Sequence, residues 1–194
     1  MNFLGHIYLS GHDKELAVGN LVADQIKGNK ISELPDKIKS GIVLHRLIDE
    51  FTDNHNSYKN CVHELFPKYR HYSRVIIDMY FDHFLAANWK DFHRTPLKIY
   101  SNSFYDKLEK SCLYFNVQVQ YFIRTFISQK WLEQYSNLKD LKVILKQMEE
   151  RTKFPSKLAA STYDLIEKYT YFESHFFHFM EDVTLFTKNK IKDL

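Results

Sequence analysis

Apolar residues recur at steps of three and four along most of this chain, the spacing of one face of an α-helix. Phe3, Leu4, Ile7 and Tyr8 predict a short first helix over residues 2–10, closed near Gly11. A second is predicted over 13–27, ended by Gly28-Asn29. A third opens at Pro35-Asp36, where the missing proline N–H does no harm, and runs to residue 51. Residues 54–66 form a fourth, stopped by Pro67, and 69–92 a long, strongly periodic fifth. The stretch 94–103, with Thr95-Pro96 and Ser101-Asn102-Ser103, breaks the pattern and reads as a connector. Helices are expected again over 104–112, 118–128, 138–152 and 156–186.

The polar residues on the interior stripes are more informative. In the third helix, positions 38, 42, 45, 49 and 52 share a face, and their occupants change from Ile38 and Ile42 to His45, Asp49 and Thr52. The fifth helix runs Val75, Asp78/Met79, Asp82, Leu85/Ala86 and Trp89, with His83 beside Asp82. Ala17, Asn20, Leu21 and Asp24 share a side of the second. An isolated buried carboxylate costs several kcal/mol against a total stability of about 5–15 kcal/mol, so a set of them requires donors, cations or a metal. Imidazole and carboxylate together suit a divalent ion of the Mn, Fe, Mg or Zn kind. The bland alternative is a group of core residues, each satisfied by its own partner. His175, His178 and Asp182 also share a face, but without partners from another helix they read as part of an aromatic core.

Composition narrows the class. Five Gly and four Pro in 194 residues are too few for a sandwich, a barrel or long disordered linkers, and the pattern predicts an all-α, single-domain helical bundle. Phe and Tyr (16 and 13) supply core material. A net charge of +3 does not imply nucleic acid, and no stretch has the length and apolarity of a membrane span. Cys61 and Cys112 match no metal spacing and read as reduced thiols of a cytoplasmic protein. The acids are aspartates and no Glu-x-x-His occurs, so a di-iron carboxylate bundle is excluded; P-loops, dinucleotide fingerprints and serine elbows are absent too.

Several blocks in register resemble the bacterial acyl carrier protein phosphodiesterase family: Met1-Asn2-Phe3-Leu4-Gly5-His6, Gly19-Asn20-Leu21-Val22-Ala23-Asp24, Gly41 through Asp49 with Thr52-Asp53-Asn54, and Asp78 through Leu85 with Trp89. A weaker echo follows at Trp131-Leu132 and Tyr135. The resemblance implies a relative of the HD phosphohydrolases that uses Mn²⁺, or Mg²⁺ or Fe²⁺ in its place. It implies cleavage of 4′-phosphopantetheine from the serine of holo-acyl carrier protein, the macromolecular partner. The adjacent pair is reversed here as Asp82-His83, and the other is spread as His45-x-x-x-Asp49, so the HD ligand set does not transfer position by position.

The expected metal ligands are therefore Asp24, His45, Asp49, Asp82 and His83, with Asp82 foremost. Arg46 is expected on phosphate oxygens, or paired with Asp49 or Glu50. His6 is expected as a ligand or as the acid that protonates the leaving serine, and Asp78 as a ligand or as the group that orients His83. Asn20 is the expected substrate contact, and Lys27, Lys30, Lys37 and Lys39 are candidates for steering an acidic carrier. Two rival readings are an HD-like phosphohydrolase acting on a nucleotide or small phosphate ester, and a helical module that binds the carrier without turnover.

Overall fold

A computed structural model describes residues 1–26 and 28–194. Among them the secondary structure is helical throughout: α1 (Phe3–Leu9), α2 (Lys14–Val22), α3 (Asp36–Asn54), α4 (Asn56–Tyr69), α5 (Tyr72–Ala87), α6 (Trp89–Phe92), α7 (Leu97–Ser111), α8 (Val117–Gln129), α9 (Trp131–Gln134), α10 (Leu138–Glu149), α11 (Ser161–Glu167) and α12 (Tyr169–Ile191), with short 3-10 segments between several of them. The all-α expectation holds.

The tightest packing joins α2 to α3, and glycine is its cause. A methyl on Gly19 would sit 2.0 Å from the Ile38 carbonyl oxygen, and one on Gly41 2.1 Å from that of Leu16. With neither present, the two backbones touch. That contact carries Asn20, next to Gly19, onto His45, one turn after Gly41. α1 lies across α2 and α5, while α12 packs on α3, α4 and α5. The seam between α5 and α12 is aromatic: Tyr80 meets Phe172, and Phe81 meets Phe176 and Phe179, at ring separations of 5.2–5.6 Å.

Several predicted boundaries move. α2 stops at Val22 and tightens into a 3-10 turn over Ala23–Gln25, so Asp24 sits beyond the α-helix rather than inside it. Lys27 lies outside the described residues, as does the Lys30 side chain. Pro67 does not stop α4, which continues to Tyr69; only two residues follow the proline before Arg70 takes a positive φ of 51°. The connector predicted over 94–103 spans only 93–96. Pro96, with φ −53° and ψ 143°, begins α7, and its carbonyl accepts from the Ile99 and Tyr100 amides. The last predicted helix is two, parted at Lys168. Phe172, Phe176, Phe179 and Met180 form the buried face of α12, whereas His178 is exposed and Asp182 accepts from His55 at 3.0 Å.

Candidate metal centre

α1, α2 with its following turn, and α3 bring His6, Asn20, Asp24, His45 and Asp49 to the wall of one open cleft of about 370 Å³. The imidazoles of His6 and His45 lie stacked, with ring centres 4.1 Å apart, and both are buried. Asn20, fully buried beneath them, settles which nitrogen carries hydrogen. Its Nδ2 donates to the His6 carbonyl and to Ser10 Oγ, both at 2.9 Å. Because a carbonyl only accepts, the amide cannot be turned round, and Oδ1 must face the histidines. Oδ1 accepts from His6 Nδ1 at 2.8 Å and from His45 Nδ1 at 3.1 Å. Both Nε2 atoms are thereby free to point into the cleft.

There they meet carboxylates. His6 Nε2 is 3.3 Å from Asp49 Oδ1; His45 Nε2 is 3.2 Å from Asp49 Oδ2 and 3.3 Å from Asp24 Oδ1. His6, His45 and Asp49 each offer one ligand atom within 4.8 Å of the others. Burial lowers the His6 pKa against the pull of Asp49, so its Nε2 carries a lone pair near neutral pH. A lone pair facing a carboxylate oxygen is repulsive unless a cation lies between them. Burial also pulls His45 down, but the Asp24 and Asp49 carboxylates beside it outweigh this and hold that imidazole at about 9. Burial raises Asp49, and its two histidines overcome this, keeping it well below the usual carboxylate range. Even so, His45 Nε2 is buried without a well-directed hydrogen bond. Two imidazole nitrogens and the oxygens of Asp49 and Asp24 are a donor set that fits a divalent ion of the Mn or Fe kind.

The structure does not bring Asp82 or His83 into this cluster. Asp82 is fully buried, and both its oxygens accept backbone amides at the start of α1: Asn2 N and Gly5 N on Oδ1 at 3.1 Å, and Leu4 N on Oδ2 at 2.7 Å. The Asn2 side chain does not cap α1, so a carboxylate from α5 meets the positive end of that helix. Burial pushes Asp82 up to about 7 against the opposing Met1 amine and those amides. His83 turns elsewhere, with Nδ1 on the Tyr135 carbonyl at 2.8 Å and Nε2 on the Tyr169 hydroxyl at 3.2 Å, and burial lowers its pKa. One residue apart is 100° of turn, so the doublet faces two different neighbours.

Asp78 lines the cleft but does not orient His83; it lies 2.9 Å from the Met1 amine. Arg46 is exposed and outside the cleft, since one step from His45 carries it round to the solvent side of α3. Asn20 uses its polar capacity on the histidines and Ser10 rather than holding it ready for a substrate. Lys37 and Lys39 lie near Asp13 and Asp36, at 3.9 and 3.0 Å, at the first turn of α3. The cleft also contains Arg74, Asp53, Tyr58 and Thr52, which the sequence reading gave no role. Arg74 donates to Asp53 across the space between α5 and α3. Its spacing of four from Asp78 was the available signal, but it falls one residue off the apolar stripe through Val75.

Fold and cleft define a class: an all-helical protein with a paired-histidine, paired-carboxylate centre open to solvent. The family is narrower. The chain belongs to the acyl carrier protein phosphodiesterase family, whose sequence model matches residues 1–183, and it is thereby a hydrolase. It is 28% identical over 180 residues to the acyl carrier protein phosphodiesterase of Pectobacterium atrosepticum, covering 92% of this chain and 93% of that one. The protein of that name from Photorhabdus laumondii is 29% identical over 180 residues, 92% of this chain and 91% of its own. The one from Enterobacter sp. (strain 638) is 28% identical over 191 residues, 98% of this chain and 99% of its own. No solved structure matches the chain. Among the described residues no helix is long and apolar enough to cross a membrane.

Proposed function

We propose that the chain hydrolyses the phosphodiester between 4′-phosphopantetheine and the serine of holo-acyl carrier protein, with Mn²⁺ or a similar divalent ion held by His6, His45, Asp49 and Asp24. The observation that carries this reading is the convergence of His6, His45 and Asp49, whose ligand atoms lie within 4.8 Å of one another while Asn20 holds both Nδ1 atoms away from the cleft. The relatives carry the name of a phosphodiesterase acting on this carrier, and they align with nearly the whole chain.

Bound there, the ion supplies a water of lowered pKa as nucleophile and a positive charge for a phosphoryl oxygen. Asn20 holds both imidazoles in the tautomer that leaves Nε2 free. Asp49 presents one oxygen to each histidine. The lowered pKa of His6 suits a ligand better than a proton donor to the leaving serine. Phe3 is engaged internally, stacked 5.6 Å from Trp131, which leaves little aromatic surface in the cleft for a nucleobase.

The test incubates the purified chain with holo-acyl carrier protein and Mn²⁺ and follows the carrier by mass spectrometry. Loss of the whole phosphopantetheine arm is the expected result. An intact carrier beside hydrolysed nucleotides would overturn the proposal in favour of a small phosphate ester.

A further inference from the structure

The cleft presents four carboxylates, Asp24, Asp49, Asp53 and Asp78, and a phosphodiester approaching them is repelled unless fixed cations receive its oxygens. Arg74, carried by α5, is the arginine on its lining. Asp53 accepts from one Nη of its guanidinium, which orients a group with five N–H donors. Thr52, the chain neighbour of Asp53, 3% exposed and one turn beyond Asp49 on α3, lines the same cleft with a buried hydroxyl that has no partner. A threonine inside a helix ordinarily returns its hydroxyl to a carbonyl of the preceding turn, and this one does not.

Resting on the phosphodiester reading above, we propose that Arg74 and the Thr52 hydroxyl form an anion subsite that receives the non-bridging phosphoryl oxygens, with Asp53 as the positioning residue for Arg74. The planar fork of arginine matches two phosphate oxygens, and the hydroxyl supplies a further donor at the edge of the histidine cluster.

The full-length protein, loaded with Mn²⁺, is assayed on holo-acyl carrier protein and on bis(p-nitrophenyl) phosphate, and its binding of inorganic phosphate is measured by calorimetry. Arg74→Ala lowers kcat/KM roughly 100-fold on both diesters and weakens phosphate binding, while Mn²⁺ affinity stays at the wild-type value. Arg74→Lys recovers only part of the loss, because a point charge lacks the fork. Thr52→Val, nearly isosteric, costs about 10-fold, and Thr52→Ser restores it. Asp53→Asn raises KM on both diesters more than it lowers kcat. An Arg74→Ala protein that fails on the carrier but cleaves the small diester at the wild-type rate overturns the subsite, since the arginine would then dock the carrier. Equal phosphate affinity in wild type and Arg74→Ala overturns it as well. A wild type that neither binds Mn²⁺ nor cleaves either diester sinks the function proposed above instead, and the phosphate titration then decides the subsite alone.

Discussion

A neutral imidazole offers one lone pair, and at His6 and His45 the choice of nitrogen is made by one asparagine. Removing partners of this kind commonly costs 10- to 100-fold in metal affinity, because the ring is no longer held in one tautomer and one orientation. Asn20→Ala is therefore expected to weaken Mn²⁺ binding by roughly that factor while the helices persist, as checked by Mn²⁺ titration and circular dichroism. Unchanged affinity would show that the histidines orient themselves. At the same scale His45 gives a pH dependence. Its folded pKa, about 9, lies above the ordinary 6.5, so its contribution to stability is complete below pH 6.5 and is lost as pH rises through 9. An ion at Nε2 requires that proton to leave, so Mn²⁺ affinity moves the opposite way and rises across the same window. Thermal melts of the metal-free protein should fall between pH 6.5 and 9 more steeply in wild type than in His45→Gln; parallel slopes would contradict the assignment. Asp24 and Asp49 are half-exposed or more, and solvent screening keeps the effect modest.

The elements explain why the stripe of acids was legible and its meaning only partly so. Periodicity placed Asp82 inside the molecule, and inside it is. What periodicity cannot supply is the partner. A buried carboxylate is satisfied equally well by a metal or by three backbone amides, and here α1 contributes the amides across some 80 residues of sequence. Asp82→Ala should thus cost about 3 kcal/mol of stability by leaving the start of α1 unsatisfied, measured by urea unfolding. The same change loosens the helix that carries His6. The α2–α3 contact is the other element on which the centre depends. Gly41→Ala drives a methyl into the Leu16 carbonyl, and the helices must part. That separates Asn20 from His45, so the variant should lose Mn²⁺ affinity as well as about 1–3 kcal/mol of stability. Helix ends were legible where a cap is local, as at Asp13, whose side chain accepts from the Glu15 and Leu16 amides. They were not legible where proline acts two ways. Pro96 begins a helix, as Pro35 does, while Pro67 sits harmlessly in a final turn.

At the scale of the whole molecule the centre is a tie between distant stretches of chain. His6 comes from α1, Asp24 from the turn after α2, and His45 and Asp49 from α3. An ion bound there joins segments that an unfolded chain keeps apart, so it stabilises the fold by mass action. At 100 times its Kd the gain is about 2.7 kcal/mol, which for a chain of this length raises Tm by roughly 5–10 °C. The contrast between variants makes the measurement decisive for the ligand set. His45→Ala and Asp49→Ala should melt without any Mn²⁺-dependent rise. Asp82→Asn, which keeps one acceptor oxygen for the start of α1, should melt lower than wild type yet retain the full rise, because its carboxylate serves the helix end and not the ion. Loss of the rise in Asp82→Asn, with His45→Ala still responding, would return Asp82 to the metal and undo the division of labour between Asp82 and the aspartates that face the histidines.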